Sequence, residues 1–202
     1  MVMVRTASQQ EFTEMGDRTW LSKIGSLLLG AALVTTITSS RSLQAQTGSS
    51  PPQLQQLIHS FDVQQPDATA YALWNAGQDS RHEVWFRIIA GEADYQQRLR
   101  VYKEQAPPRS PDSLPPLSTI VYEVENNAPS QWFFLGSERG FFTYYFEGDN
   151  RIVEDIDFDN AHAVRVRKSI HTNGDRYEIS FEDITLLDDY DDLEIEVILI
   201  RR

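Results

Sequence analysis

The side chains best placed to do chemistry lie near the C-terminus. Glu182, Asp183, Asp188, Asp189, Asp191 and Asp192 put six carboxylates into eleven consecutive positions. Like charges repel, by about 1 kcal/mol per pair at ~4 Å even in water and by more where burial lowers the dielectric. A compact loop with this composition needs a compensating charge. A hard cation with oxygen ligands, above all calcium, suits it, with Glu182, Asp183, Asp189, Asp191 and Asp192 as candidate ligands. The same residues also suit a solvated acidic turn whose charges splay into water.

A second acidic segment runs from Glu154 to His162, in which Asp155, Asp157 and Asp159 alternate with other residues. In extended chain all three carboxylates point to one side. The spacing matches the start of an EF-hand loop, but Asn160 occupies the glycine position and Val166 the closing glutamate position, so an EF-hand is excluded. A non-helical calcium loop is not, and these three residues are candidates for a second or completing ligand set.

Other chemistries find little support. Cysteine is absent, which rules out disulfides, thiolate metal sites and a cysteine nucleophile. The chain has no glycine-rich phosphate loop, no Gly-x-Ser-x-Gly and no His-Glu-x-x-His. His59, His162 and His171 are isolated along the sequence. Paired carboxylates are the requirement of a glycan hydrolase, yet among 30 acidic residues such a pair is expected by chance. A net charge of -12 argues against nucleic acid and anionic membrane surfaces and in favour of cations or cationic partners.

The elements that must hold these loops read as β. After the acidic loop, Leu193, Ile195, Val197 and Leu199 alternate with Glu194, Glu196, Ile198 and Ile200, the pattern of a strand buried on its first face. Strands are also expected over 71–74, 81–89, 97–103, 119–125, 131–135, 141–146, 163–170 and 176–181, with turns at 136–140 and 147–150. The 81–89 and 97–103 runs suit an antiparallel hairpin, with Leu99 and Val101 facing in and Arg98, Arg100 and Tyr102 out. Asn173-Gly174 marks another hairpin. Leu54, Leu57, Ile58 and Phe61 recur at helical spacing, so a short amphipathic helix is expected over 52–61. The sum is a mainly β chain: an antiparallel β-sandwich or jelly roll with one short N-terminal helix.

Residues 1–45 read as a signal peptide. Arg18 and Lys23 precede an apolar run over 24–34, and Leu43-Gln44-Ala45 closes as a cleavage site. Initiation at Met15 gives a leader of more ordinary length. The apolar run falls short of the ~20 residues a membrane span needs, so the mature form is expected off the membrane: periplasmic, on the cell surface or extracellular. Residues 46–105 then hold the helix and first strands. Residues 106–117 carry five of the nine prolines and form an extended linker or crossover. Residues 118–202 hold the remaining strands, in one sandwich with 68–105.

The C-terminal pattern resembles a known family. Phe181-Glu182-Asp183, followed by Asp189-Tyr190-Asp191-Asp192-Leu193 and an apolar strand, is similar to the signature of the DUF4114 family of exported bacterial domains. Asp159-Asn160-Ala161-His162-Ala163 is similar to its upstream histidine segment, and the resemblance spans roughly residues 132–197. Thr185-Leu186 replaces that family's Gly-Gly turn, Leu187 stands where its first Asp falls, and Asp191 stands where it has Asn. The resemblance implies a β-rich secreted or surface domain, thought to bind calcium, without enzymatic activity. The expected function is therefore non-enzymatic surface or extracellular binding, of carbohydrate or a protein partner. The alternatives are a metal-free interaction domain with an acidic face and, further off, a glycan-acting hydrolase.

Overall fold

The computed structural model describes residues 50–66, 68–77, 79–91, 95–110, 113–125, 128–152, 157–183 and 190–202. The expected leader lies outside them. Among the described residues eleven strands follow in order: β1 (Leu57–Pro66), β2 (Ala70–Asn75), β3 (Arg81–Ala90), β4 (Gln96–Glu104), β5 (Ile120–Val124), β6 (Phe133–Arg139), β7 (Phe142–Arg151), β8 (Asp159–Asn160), β9 (Ala163–His171), β10 (Gly174–Glu182) and β11 (Leu193–Arg201). They form a β-sandwich of two antiparallel sheets. One is ordered β1-β9-β10-β11-β3-β6; the other is β2-β7-β4-β5, with β8 also paired to β7. Among the described residues no helix is long and apolar enough to cross a membrane.

Period-two alternation fills the space between the sheets. Leu193, Ile195, Val197 and Leu199 of β11 join Val84, Phe86 and Ile88 of β3 from one sheet, and Leu99 and Val101 of β4 with Phe142, Tyr144 and Phe146 of β7 from the other. Fully burying such a side chain contributes about 1.5–3 kcal/mol. The opposite face of β11 is covered in part as well, because Ile198 and Ile200 pack with Trp85 against Leu54, Trp132 and Phe134.

Several expectations are corrected. Residues 51–56 have no regular structure and β1 begins at Leu57, so the helix over 52–61 is absent. An isolated helix of that length is marginal in water. Pairing with β9 instead satisfies the backbone of β1, while Leu54 packs against Ile198 and Ile200. The 81–89 and 97–103 runs do not pair as a hairpin: β3 lies between β11 and β6, and β4 between β7 and β5. Placing them in opposite sheets lets Val84, Phe86 and Ile88 meet Leu99 and Val101 across the core.

Residues 136–139 continue β6, and 147–150 continue β7, where turns were expected. The turn-like residues of β7 have long-range partners. Asp149 accepts a hydrogen bond of 2.8 Å from Arg98 Nε, and Glu147 accepts one of 2.5 Å from the hydroxyl of Tyr102. Tyr102 is thereby buried on a face expected to meet solvent. The proline-rich segment connects β4 to β5, which are neighbours in one sheet.

Candidate metal centre

At one end of the sandwich β10 and β11 diverge. Their last paired residues are Phe181 and Leu193, so Glu182 and Asp192 occupy the next opposing positions. Asp183 is one residue further, on the side that Tyr177, Ile179 and Phe181 present to the core. One carboxylate oxygen from each of Glu182, Asp183 and Asp192 lies within 4.8 Å of the others. All three residues are buried, at 1%, 7% and 9% exposure.

The polar surroundings come from both sheets. Asp183 N–H donates to Asp192 Oδ2 at 2.7 Å, and Tyr190 N–H donates to Glu182 Oε2 at 3.2 Å. Tyr190 sits in the left-handed region, at φ 62°, a conformation that costs a non-glycine residue about 1–3 kcal/mol. Across the core, Gln97 of β4 donates from Nε2 to Asp183 Oδ2 at 2.8 Å. Asn150 of β7, directly opposite Gln97 in the ladder, reaches the carbonyl oxygens of Asp183 and Asn160 at 3.4 Å each.

Burial raises the Asp192 carboxyl to about 6, and the neighbouring Asp183 carboxylate pushes the same way; the Asp183 backbone N–H opposes both. Three ionised carboxylates within 4.8 Å repel by about 3 kcal/mol per pair at an effective dielectric of ~20. A proton or a cation lowers that cost. The donor set is entirely oxygen, which fits calcium or magnesium and does not fit a metal that prefers nitrogen or sulfur.

Of the residues singled out from the sequence, Glu182, Asp183 and Asp192 are brought together. Asp191 is half-buried and outside that trio, while Asp157 and Asp159 are exposed. Asp159 nevertheless lies in β8 opposite Asn150, which places that residue against the same end of the sandwich. Asp155 and Asp189 lie outside the described residues. Gln97, Asn150 and Tyr190 were not singled out. For Gln97 a signal existed: it continues the inward series of Leu99 and Val101, and a polar residue there needs a buried partner.

Comparison with protein-family models, with curated proteins and with solved structures returns no match.

Proposed function

We propose that the protein is an exported, non-enzymatic binding domain whose acidic end is ordered by calcium. One observation carries this: the buried trio of Glu182, Asp183 and Asp192, one oxygen from each within 4.8 Å of the others, held by hydrogen bonds from Gln97 and two backbone N–H groups. Repulsion among the three is largest in the metal-free state, and a divalent cation turns it into attraction. The resemblance of residues 132–197 to DUF4114 domains supports the same reading, as does the acidic composition. Bound calcium would tie the start of β11 to the end of β10 and fix the backbone at Tyr190. The role assigned to the site is stabilisation of a binding surface.

The test is thermal unfolding of the purified protein in calcium and in chelator. A ligand held at 100 times its Kd adds about 2.7 kcal/mol, which raises the midpoint of a domain this size by roughly 5–10 °C. An unchanged midpoint refutes the calcium reading and leaves a metal-free interaction domain.

A further inference from the structure

The outer face of the six-stranded sheet is organised in rows. Strand register places Gln64, Arg165, Ser180 and Glu194 side by side across β1, β9, β10 and β11, and Asp62, Arg167, Glu178 and Glu196 in the adjacent row. Side chains two residues apart on one strand share a face, so both rows point away from the core. Beyond them the face is closed by the apolar patch of Trp85, Ile198 and Ile200 under Leu54, Trp132 and Phe134. Before them come Glu182 and Asp192. The open part between these ends is a trough of about 530 Å³, lined by the first row and by Asp62, Arg167 and Glu178 of the second, with Ile89 and Ile195 bordering it. That volume lies within the range of small-ligand sites, about 300–1,000 Å³.

The chemistry of the trough is specific. Asp62 and Arg167 pair with each other at 2.9 Å, and Glu196 is taken by Arg87 and Arg176. In the first row, by contrast, neither Arg165 nor Glu194 forms an ion pair among the described residues. Glu194 meets only the Ser180 hydroxyl, at 3.4 Å, and Arg165 lies against the Tyr190 ring at 5.0 Å. A cation and a carboxylate, neither in an ion pair among the described residues, thus stand two strands apart, about 10 Å by sheet spacing, with a hydroxyl between them. A polyanion placed there would meet Glu178 and Glu194, and a polycation would meet Arg165. A protein hot spot wants aromatic or apolar anchors in a pocket; of the two large apolar residues that border the trough, Ile195 is buried in the core, which leaves Ile89. Groups that both donate and accept, carried on a neutral frame with apolar C–H faces, satisfy every side chain of the row.

We propose that this trough binds a neutral oligosaccharide, Arg165 donating to and Glu194 accepting from its hydroxyl groups. The proposal rests on the reading of the protein as a binding domain and supplies its ligand class. The Tyr190 contact links the two sites. Tyr190 N–H is bound to Glu182 and its ring backs Arg165, so a filled carboxylate site holds Arg165 in its binding orientation.

The test is calorimetric titration of the full chain with cellohexaose, xylohexaose, mannohexaose and maltohexaose, and with a heparin hexasaccharide as the polyanionic control, in calcium and in chelator. At least one neutral hexasaccharide is expected to bind with little dependence on salt. Glu194→Gln and Arg165→Ala, each checked for native circular dichroism, are expected to weaken it about tenfold or more, the loss of one charge-assisted hydrogen bond. Absence of binding by all four neutral sugars overturns the proposal. So does binding of heparin alone, or sugar binding that both variants leave unchanged. A calcium shift without sugar binding refutes the trough and spares the metal. Sugar binding without a calcium shift does the reverse.

Discussion

Asp192 is where the chemistry of the acidic end concentrates. Its carboxyl is raised from 3.8 to about 6 by burial. In the calcium-free protein the folded state therefore holds its proton more tightly than the unfolded chain does. As pH rises from about 4 to about 6 the unfolded state loses that proton first, so stability falls through this window and stays low above it. The full cost is on the order of 1–3 kcal/mol. On the calcium reading proposed above, the metal would displace the proton, so its affinity is expected to rise over the same window and the decline to flatten when calcium is present. Asp192→Asn keeps an acceptor for the Asp183 N–H and removes the charge. The variant is expected to be about 1–2 kcal/mol more stable than the parent in chelator at pH 7 and to show no calcium shift. Urea titrations at stepped pH, with and without calcium, check both statements. A variant that loses stability in chelator refutes the burial argument. The carboxylates of this site were visible in the sequence because acidic density is a local property. The pairing of its supports was not: the inward position of Gln97 called for a buried partner without naming one, because Gln97 and Asn150 arrive from strands some 86 and 33 residues away from Asp183.

At the scale of an element, β7 shows where local composition misleads. Glu147-Gly148-Asp149-Asn150 has the make-up of a turn, yet it is a strand because each residue answers a distant one. Glu147 and Asp149 meet Tyr102, Arg98 and Arg100 of β4. Gly148 faces the ring of Phe181 in the opposite sheet, where an added Cβ would come within 2.6 Å of it. β11 and β4 were legible because an alternating apolar series marks the core face of each; in β7 that series ends at Phe146, and the partners that keep the next four residues extended lie far off in sequence. Gly148→Ala is expected to cost about 1–3 kcal/mol by overpacking, seen as a lower urea midpoint with an unchanged slope. Adding Phe181→Leu should recover part of that loss, because the two positions share one volume. Additive losses in the double variant would place the strain elsewhere.

The whole molecule is wound about its proline-rich connection. β4 and β5, on either side of it, pair with each other; β4 then pairs with β7, β3 with β6 and β11, β2 with β7 and β1 with β9. Every strand before the prolines is therefore flanked by one that follows them, and neither half owns a complete sheet. The sequence showed the strands and the break between them but could not show this interleaving, since alternation states which face is buried and not which strand lies alongside. The interleaving also explains how residues 106–117 can be long without dividing the protein. Their start is tied in place: Thr143 Oγ1 donates to the carbonyl of Ala106 at 2.6 Å, and the backbone N–H of Arg109 donates to the hydroxyl of Tyr145 at 2.8 Å. Cleaving the chain between these anchors and β5 removes a connection and breaks no strand pairing. A protease nick there should leave two fragments that co-elute as one native-sized species and unfold together in a single urea transition. After separation in denaturant, each fragment alone should lack the near-ultraviolet signal of packed aromatic residues, because Phe86 and Phe146 come from different fragments and meet in one core. Mixing the fragments should restore that signal. Fragments that separate as two folded bodies would show that the halves are independent domains, and the interleaved sandwich would be refuted.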